Sequence, residues 1–296
     1  MALLHDLEVV RPASLDAALA ALAESVASGT PFRPMAGCTD VLVDAHFGKP
    51  MPARWLDLWP LRRELGGLRW DDAGLHIGAL ATYGDALNQP RFCAELPALA
   101  QASALVGATQ IQARGTFAGN VENGSPAADA VPALMALDAE VELASLRGRR
   151  RVPLRSYYAG YRKTVREADE LITGLRIPGA ELGQKGQWFR KVGTRSYQAI
   201  TKVGLAAQLT WFGDRMRAPR IVAVSMGPTI CRCPGLEAAL DGRTLAELDP
   251  AMLRAAQATD LKPIGDVRST EAYRAEVFAR LVAEAVRRTH AAAAFA

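Results

Sequence analysis

Through the first 180 residues, apolar positions recur in short blocks, some at every second residue and some at every third or fourth. That pattern predicts strands and helices in quick alternation. In "LEVVRPASLDAALAALAE" a short strand and a Pro turn lead into a helix capped by Ser14, with Asp16 favourably placed near its positive end. "PFRPMAGCTDVLVDAHFG" is a strand-like approach that meets Gly37 and continues as an apolar stretch, and "RWLDL" reads as another strand. "LRWDDAGLHIGAL" carries an Asp-Ala-Gly turn between two strand-like runs, which predicts a hairpin. Helix is expected in "TYGDAL", "ELPALAQASALV" and "PALMALDA", an extended segment in "IQARGTFAGNV", and a strand pair in "AEVELAS" with "VPL".

After the Gly-rich polar stretch Gly179 to Gly186 the pattern shifts. "WFRKVG", "GLAAQLTWF" and "PRIVAVSMG" read as three strands, and everything beyond Leu236 has helical periodicity. The expectation is therefore an α+β chain with one domain over residues 1–180 and a smaller α+β domain, a three-stranded sheet plus helices, over 181–296. No repeat of fixed period is present, and the terminal "AAAAFA" reads as a fraying helix end.

Composition narrows the class. Half of the 296 residues are hydrophobic, enough for a sizeable core and against disorder. No run approaches a membrane span, and Asp6 and Glu8 interrupt the start before a signal-type apolar core can form, so a cytoplasmic protein is expected. The net charge of +4 arises from basic residues spread through every segment and balanced by 31 acidic ones, which argues against nucleic acid. The one dense cluster, "RGRRR" at Arg147 to Arg151, is expected to be a solvated hairpin turn. Cys38, Cys93, Cys231 and Cys233 lack iron–sulfur spacing, and His5, His46, His76 and His290 are scattered, so no metal site is expected.

Two polar loops carry the candidate chemistry, "MAGCTDVLV" and "GTFAGNVENGSPAADAVPAL". Glycines just before helices let backbone amides approach a ligand, and first-turn amides lack partners that an anion can supply. Neither loop is a G-x-G-x-x-G or a G-x4-G-K-[ST]. Taken singly, each also fits a plain capped turn; a long phosphorylated cofactor would need both. Thr39, Asp40, Asn120, Ser125 and Asp129 add polar groups suited to sugar or ribityl hydroxyls.

These loops resemble the paired FAD loops of the flavin subunits of molybdenum hydroxylases, the xanthine dehydrogenase and carbon monoxide dehydrogenase family, whose usual forms are close to A-G-G-T-D-L and R-G-T-I-G-G-N-x-A-N-A-S-P-x-x-D. The resemblance continues through "GYRKT", "DELITGLRIP", "FRKVGTRSYQAITKV" and "LKPIGDVRSTEAYRAEVFARLV", and so spans nearly the whole chain in the family's order. It implies an FAD-binding domain of the vanillyl-alcohol-oxidase type over 1–180, in two α+β subdomains with a break near 55–62, followed by the family's C-terminal domain.

Matched residue by residue, the resemblance puts Pro34, Met35, Ala36, Gly37, Cys38, Thr39, Asp40 and Val41 around the pyrophosphate, with Thr116, Phe117, Ala118, Gly119 and Asn120 on its second face. Asp129 would meet the cofactor's hydroxyl-bearing part, with Ser125 beside it. Ile172 and Lys191 would lie near the isoalloxazine ring, and Val106 belongs to the same binding set. A lysine there would stabilise an anionic reduced ring and raise its potential. Cys38 and Ala118 stand where the family usually has glycine; a position needing positive φ would be strained by about 1 kcal/mol or more.

The resemblance further implies an electron carrier. Molybdopterin would sit in a large partner subunit and two [2Fe–2S] clusters in a small one, the complex being a dimer of heterotrimers, and this chain would pass electrons to NAD+ or another acceptor. "GYRKT" with "DELITGLRIP" leans towards xanthine or a related purine or N-heterocycle as substrate of the complex. The competing readings are a scaffold subunit with weakened FAD binding and a free-standing FAD oxidase.

Overall fold

The computed structural model describes residues 7–294. His5 and Asp6 at the start of the chain, and Phe295 and Ala296 at the end of "AAAAFA", lie outside the described residues. The chain forms an α+β fold in three layers of sheet, the expected class.

The N-terminal layer is a small parallel sheet of β1 (Glu8–Val10), β3 (Arg54–Asp57) and β2 (Arg33–Met35), in that order. Parallel neighbours need crossovers. The first is the helix Leu15–Ala27, whose N-cap Ser14 accepts from the Ala17 amide at 3.2 Å. Leu15, Ala18, Leu19 and Leu22 recur at helical spacing and pack with Leu56 and Leu58 beneath the sheet.

The second layer is an antiparallel sheet of β4 (Leu68–Asp71), β5 (Gly74–Gly78), β10 (Leu171–Pro178), β6 (Glu140–Ser145) and β7 (Gly148–Pro153). The hairpin at Asp-Ala-Gly is β4 with β5, and "AEVELAS" with "VPL" is β6 with β7. At the centre, β10 is buried from Leu171 to Ile177: Leu171 faces the N-terminal core, while Ile172, Leu175 and Ile177 face the main core. A two-stranded ribbon, β8 (Tyr158–Gly160) and β9 (Lys163–Thr164), stands beside it.

The third sheet has four strands, one more than the sequence pattern suggests: β11 (Gln187–Val192), β12 (Val203–Phe212), β13 (Arg215–Val224) and β14 (Cys231–Arg232). The two residues of β14 are too few to leave a hydropathy signal. Alternation along these strands serves two cores. Phe189, Ala206 and Val222 join the main core, and Leu205, Ala207, Ile221 and Ala223 pack with Phe278, Val282 and Val286 of the helix Glu271–Ala294.

Three local expectations are corrected. "IQARGTFAGNV" is two short helices, Thr109–Gln112 and Phe117–Asn123; Thr116 caps the second and Gly124, at φ 60°, ends it. In "RGRRR" the turn falls at Leu146–Arg147, and Arg149 to Arg151 form the sheet's edge strand. Arg150 and Arg151 pair there with Glu170 at 2.6 Å and Glu142 at 3.0 Å, which keeps the edge charged. Residues 261–270 are irregular; Arg274, almost fully buried, ties them down by donating to the Lys202 and Ser225 carbonyls and to Asp266.

Phe278 is fully buried between the third sheet and the long helix. Phe278→Ala is expected to lower unfolding free energy by about 3–5 kcal/mol, read as a shifted urea midpoint.

Candidate functional site

Strand β2 delivers Pro34 and Met35 to the top of the small sheet, and the chain then turns through Ala36–Asp40 into the helix Val41–His46. Gly37 sits against the backbone of Arg114, so closely that a methyl group there would be driven into the Arg114 carbonyl oxygen. Only glycine fits. The next residue, Cys38, has φ 61°, a left-handed conformation that turns successive amides to one side as a nest. The amides of Gly37, Cys38, Thr39 and Asp40 donate to no protein acceptor among the described residues. They are available to an anion. The Cys38 Sγ donates to the Ala36 carbonyl at 3.4 Å, and burial pushes its thiol pKa up, with Asp57 adding to the effect, which makes it a neutral replacement for glycine rather than a reactive thiolate.

The second loop works differently. Of its first-turn amides, Phe117 reaches the Ala81 carbonyl at 3.4 Å, Gly119 the Thr116 hydroxyl at 3.0 Å and Asn120 the Thr116 carbonyl at 3.0 Å. Ala118 alone keeps a free amide among them. Its backbone is ordinary helix, so the strain expected of a glycine replacement falls on Cys38 and not on Ala118. The loops are held together side by side: the Asn123 amide donates to the Asp40 carboxylate at 2.8 Å.

Between them lies a cavity of about 580 Å³, within the range of cofactor sites. All eight residues from Pro34 to Val41 line it, as do Val106, Thr116, Ala118, Gly119, Asn120 and Ile172. Leu58, Ile111 and Leu171 add apolar wall. Arg166 and Glu122 also line it; Arg166 donates to Glu122 at 2.8 Å, with Tyr157 donating to the same carboxylate at 2.7 Å. Two of the lining residues, Asn120 and Tyr83, have a side-chain oxygen, Oδ1 and the hydroxyl, buried without a protein partner among the described residues. Orphaned acceptor and donor groups beside free amides suit a ligand carrying phosphate and many polar atoms. The residues present therefore fit FAD.

Four expected residues are not on this wall. Phe117 is fully buried, its ring 4.5 Å from that of Tyr83. Ser125 turns its hydroxyl to the Ala127 amide at 3.3 Å. Asp129 and Lys191 meet each other, at 2.5 Å, with side chains 9% exposed on both sides. The second Asp129 oxygen accepts from Thr201 at 2.6 Å. Burial pushes the Asp129 carboxyl pKa up against the pull of Lys191 and Thr201. Asp129 begins the helix Ala130–Ala136, whereas Lys191 and Thr201 belong to the third sheet and its approach, so the pair is a clamp between layers. Lys191 instead borders a separate hollow of about 390 Å³ with Arg190 and Thr194. Sequence reasoning missed Tyr83 altogether; "TYGDAL" signals a capped helix and nothing about which way its ring faces.

Two outcomes follow. Cys38→Gly relieves left-handed strain and should stabilise the chain by about 1 kcal/mol, seen as a raised thermal midpoint. Asp129→Leu strands a buried lysine, so it should cost about 3–5 kcal/mol of stability even without cofactor, measured by chemical denaturation.

With this geometry in hand, comparison with known proteins is informative. Residues 5–180 match the family model "FAD binding domain in molybdopterin dehydrogenase", and residues 188–289 match "CO dehydrogenase flavoprotein C-terminal domain". The carbon monoxide dehydrogenase medium chain of Afipia carboxidovorans is 30% identical over 286 residues, 96% of either chain. A putative xanthine dehydrogenase FAD-binding subunit of Escherichia coli is 26% identical over 264 residues, 88% of this chain and 89% of that one. Among solved structures, carbon monoxide dehydrogenase from Hydrogenophaga pseudoflava superposes with a TM-score of 0.87 at 26% identity, covering 97% of this chain and 98% of the other.

Proposed function

We propose, from the premise that this chain belongs to the FAD-binding flavoprotein family of molybdopterin dehydrogenases, that it relays electrons from a partner subunit to a soluble acceptor. The chain is an FAD-binding subunit of the molybdenum hydroxylase family, a part of an oxidoreductase complex. In our reading the electrons come from [2Fe–2S] clusters of a small subunit and originate at a molybdopterin site in a large one. The acceptor is NAD+ or another electron acceptor, and the substrate is xanthine or a related purine or N-heterocycle oxidised on the large subunit. The finer assignment is supported by "GYRKT" and "DELITGLRIP" and by the name of the Escherichia coli relative. The large and small subunits pair with this chain in a dimer of heterotrimers; a partner surface is in keeping with apolar side chains left in solvent along and just after the helix Val41–His46, Leu42 at 63% and Phe47 at 74% exposed. Among the described residues, no helix is long and apolar enough to cross a membrane.

The observation that carries this reading is the convergence of the loops at Gly37 and Gly119 on one cavity. Bound FAD supplies a redox centre that takes up one electron or two. The chain's own residues would do the holding: the amides of Gly37 to Asp40 would meet the phosphates, Asn120 would accept from the cofactor and Ile172 would lie near its ring, with Leu58 and Ile111 as apolar wall of the same cavity. Lys191 acts through the layer clamp with Asp129. The scaffold reading draws on one feature, a cysteine rather than glycine at the left-handed position of the nest, where a side chain is strained.

Purified with its neighbours, the full chain is expected to carry releasable yellow FAD, to bring a large and a small subunit with it, and to be bleached by xanthine and recoloured by NAD+. A chain that stays colourless at saturating FAD would instead be the scaffold. One that is yellow and oxidises substrate alone would be a free-standing oxidase.

A further inference from the structure

The Tyr83 ring is held from several directions. Thr82 and Asp85 form a reciprocal capping box at the start of its helix, with the Asp85 amide donating to the Thr82 hydroxyl at 3.1 Å and the Thr82 amide to the Asp85 carboxylate at 2.9 Å. Arg62 locks the same carboxylate at 2.7 Å. The Tyr83 amide donates to the Gly115 carbonyl at 3.2 Å, and its ring packs against Gly115, where a methyl group would meet it in van der Waals contact at 3.4 Å. Phe117 packs on the ring at 4.5 Å. A residue clamped this way cannot swing to find an acceptor.

Yet its hydroxyl has none. Tyr83 is 2% exposed, lines the cavity, and its oxygen is buried without a protein partner among the described residues. Two other tyrosines packed in this region are satisfied: buried Tyr157 donates to Glu122 at 2.7 Å, and half-buried Tyr158 to the Val121 carbonyl at 3.0 Å. Leaving a buried hydroxyl unpaired costs free energy that a phenylalanine would not incur, so a rigidly aligned, unpaired phenol beside a ligand cavity calls for a ligand acceptor. Burial, and after it the charges of Asp129 and Asp40, push its pKa well above the usual phenol value, so it is a donor at neutral pH.

We propose that Tyr83 is a positioning residue for the cofactor: its hydroxyl donates a hydrogen bond to bound flavin, a contact for which no protein atom substitutes. The inference rests on the flavin reading of the cavity. It explains why a tyrosine occupies a place where the core alone would accept phenylalanine.

The test uses the full chain, stripped of cofactor and titrated with FAD, for the wild type and Tyr83→Phe. Two readouts with different signs are expected. The thermal midpoint of the cofactor-free chain should be unchanged or higher in the variant, while its FAD dissociation constant, from flavin fluorescence, should rise about three- to tenfold, with a displaced visible absorption band. A variant that is less stable without FAD would mean that the hydroxyl serves the protein's own packing, and equal affinity with an unshifted band would mean that it does not touch the flavin. Either result overturns the inference alone. A wild-type chain that takes up no FAD would bring down the functional reading, and this with it.

Discussion

The approach of Gly37 to the Arg114 backbone is the constraint on which the rest depends. It brings the end of a parallel strand from the N-terminal layer against a segment that packs on the central sheet, two parts of the chain about eighty residues apart in sequence. With any side chain at that point the layers would separate, and the cavity between them would lose one wall. The adjoining features serve the same closure. Asn123 reaches across to Asp40, and Arg114 lays its guanidinium 3.7 Å over the Trp59 ring. Close backbone packing is thus used twice, first to join two layers and then to shape what lies between them.

The two loops, alike in sequence, have unlike roles. In the first, the left-handed Cys38 opens the amides outward and leaves them without partners. In the second, Thr116 consumes the amides of Gly119 and Asn120, so that loop contributes a small-residue surface and an orphaned side-chain oxygen rather than a nest. Charge is divided as well. The most deeply buried ion pair among the described residues, Asp129 with Lys191, stands outside the cavity and holds the third sheet to the helix Ala130–Ala136. Such a pair repays its desolvation only with good geometry and further hydrogen bonds, and Thr201 provides one.

Much of this was legible in the sequence. Hydropathy period located the hairpins and the long strands because each has one face in a core, and the glycine at 37 marked a place where two backbones come close. Fourteen of the expected binding residues do share one cavity wall. What escaped was set by tertiary contact. Asp129 and Lys191 lie sixty-two positions apart, and nothing in either local pattern shows that they would choose each other over a ligand. "IQARGTFAGNV" was misread because Gly and Thr suggest extended backbone unless the capping role of Thr116 is weighed. Tyr83 was invisible for a related reason: a ring inside an apolar stretch looks like core, and only its unpaired oxygen sets it apart.

Strand order carries a consequence for biogenesis. β10 occupies the middle of the five-stranded sheet, where Leu175 lies opposite Ile77 and also opposite Val141. Until the ribosome has released residue 178, β5 and β6 have no common neighbour, and the segment from 79 to 139 that bears half of the cavity has no floor to settle on. Closing a contact of nearly one hundred residues is entropically slow. Cofactor loading must therefore follow synthesis of the entire first domain, and a nascent chain stalled before this strand would hold two half-built loops and no place for a ligand.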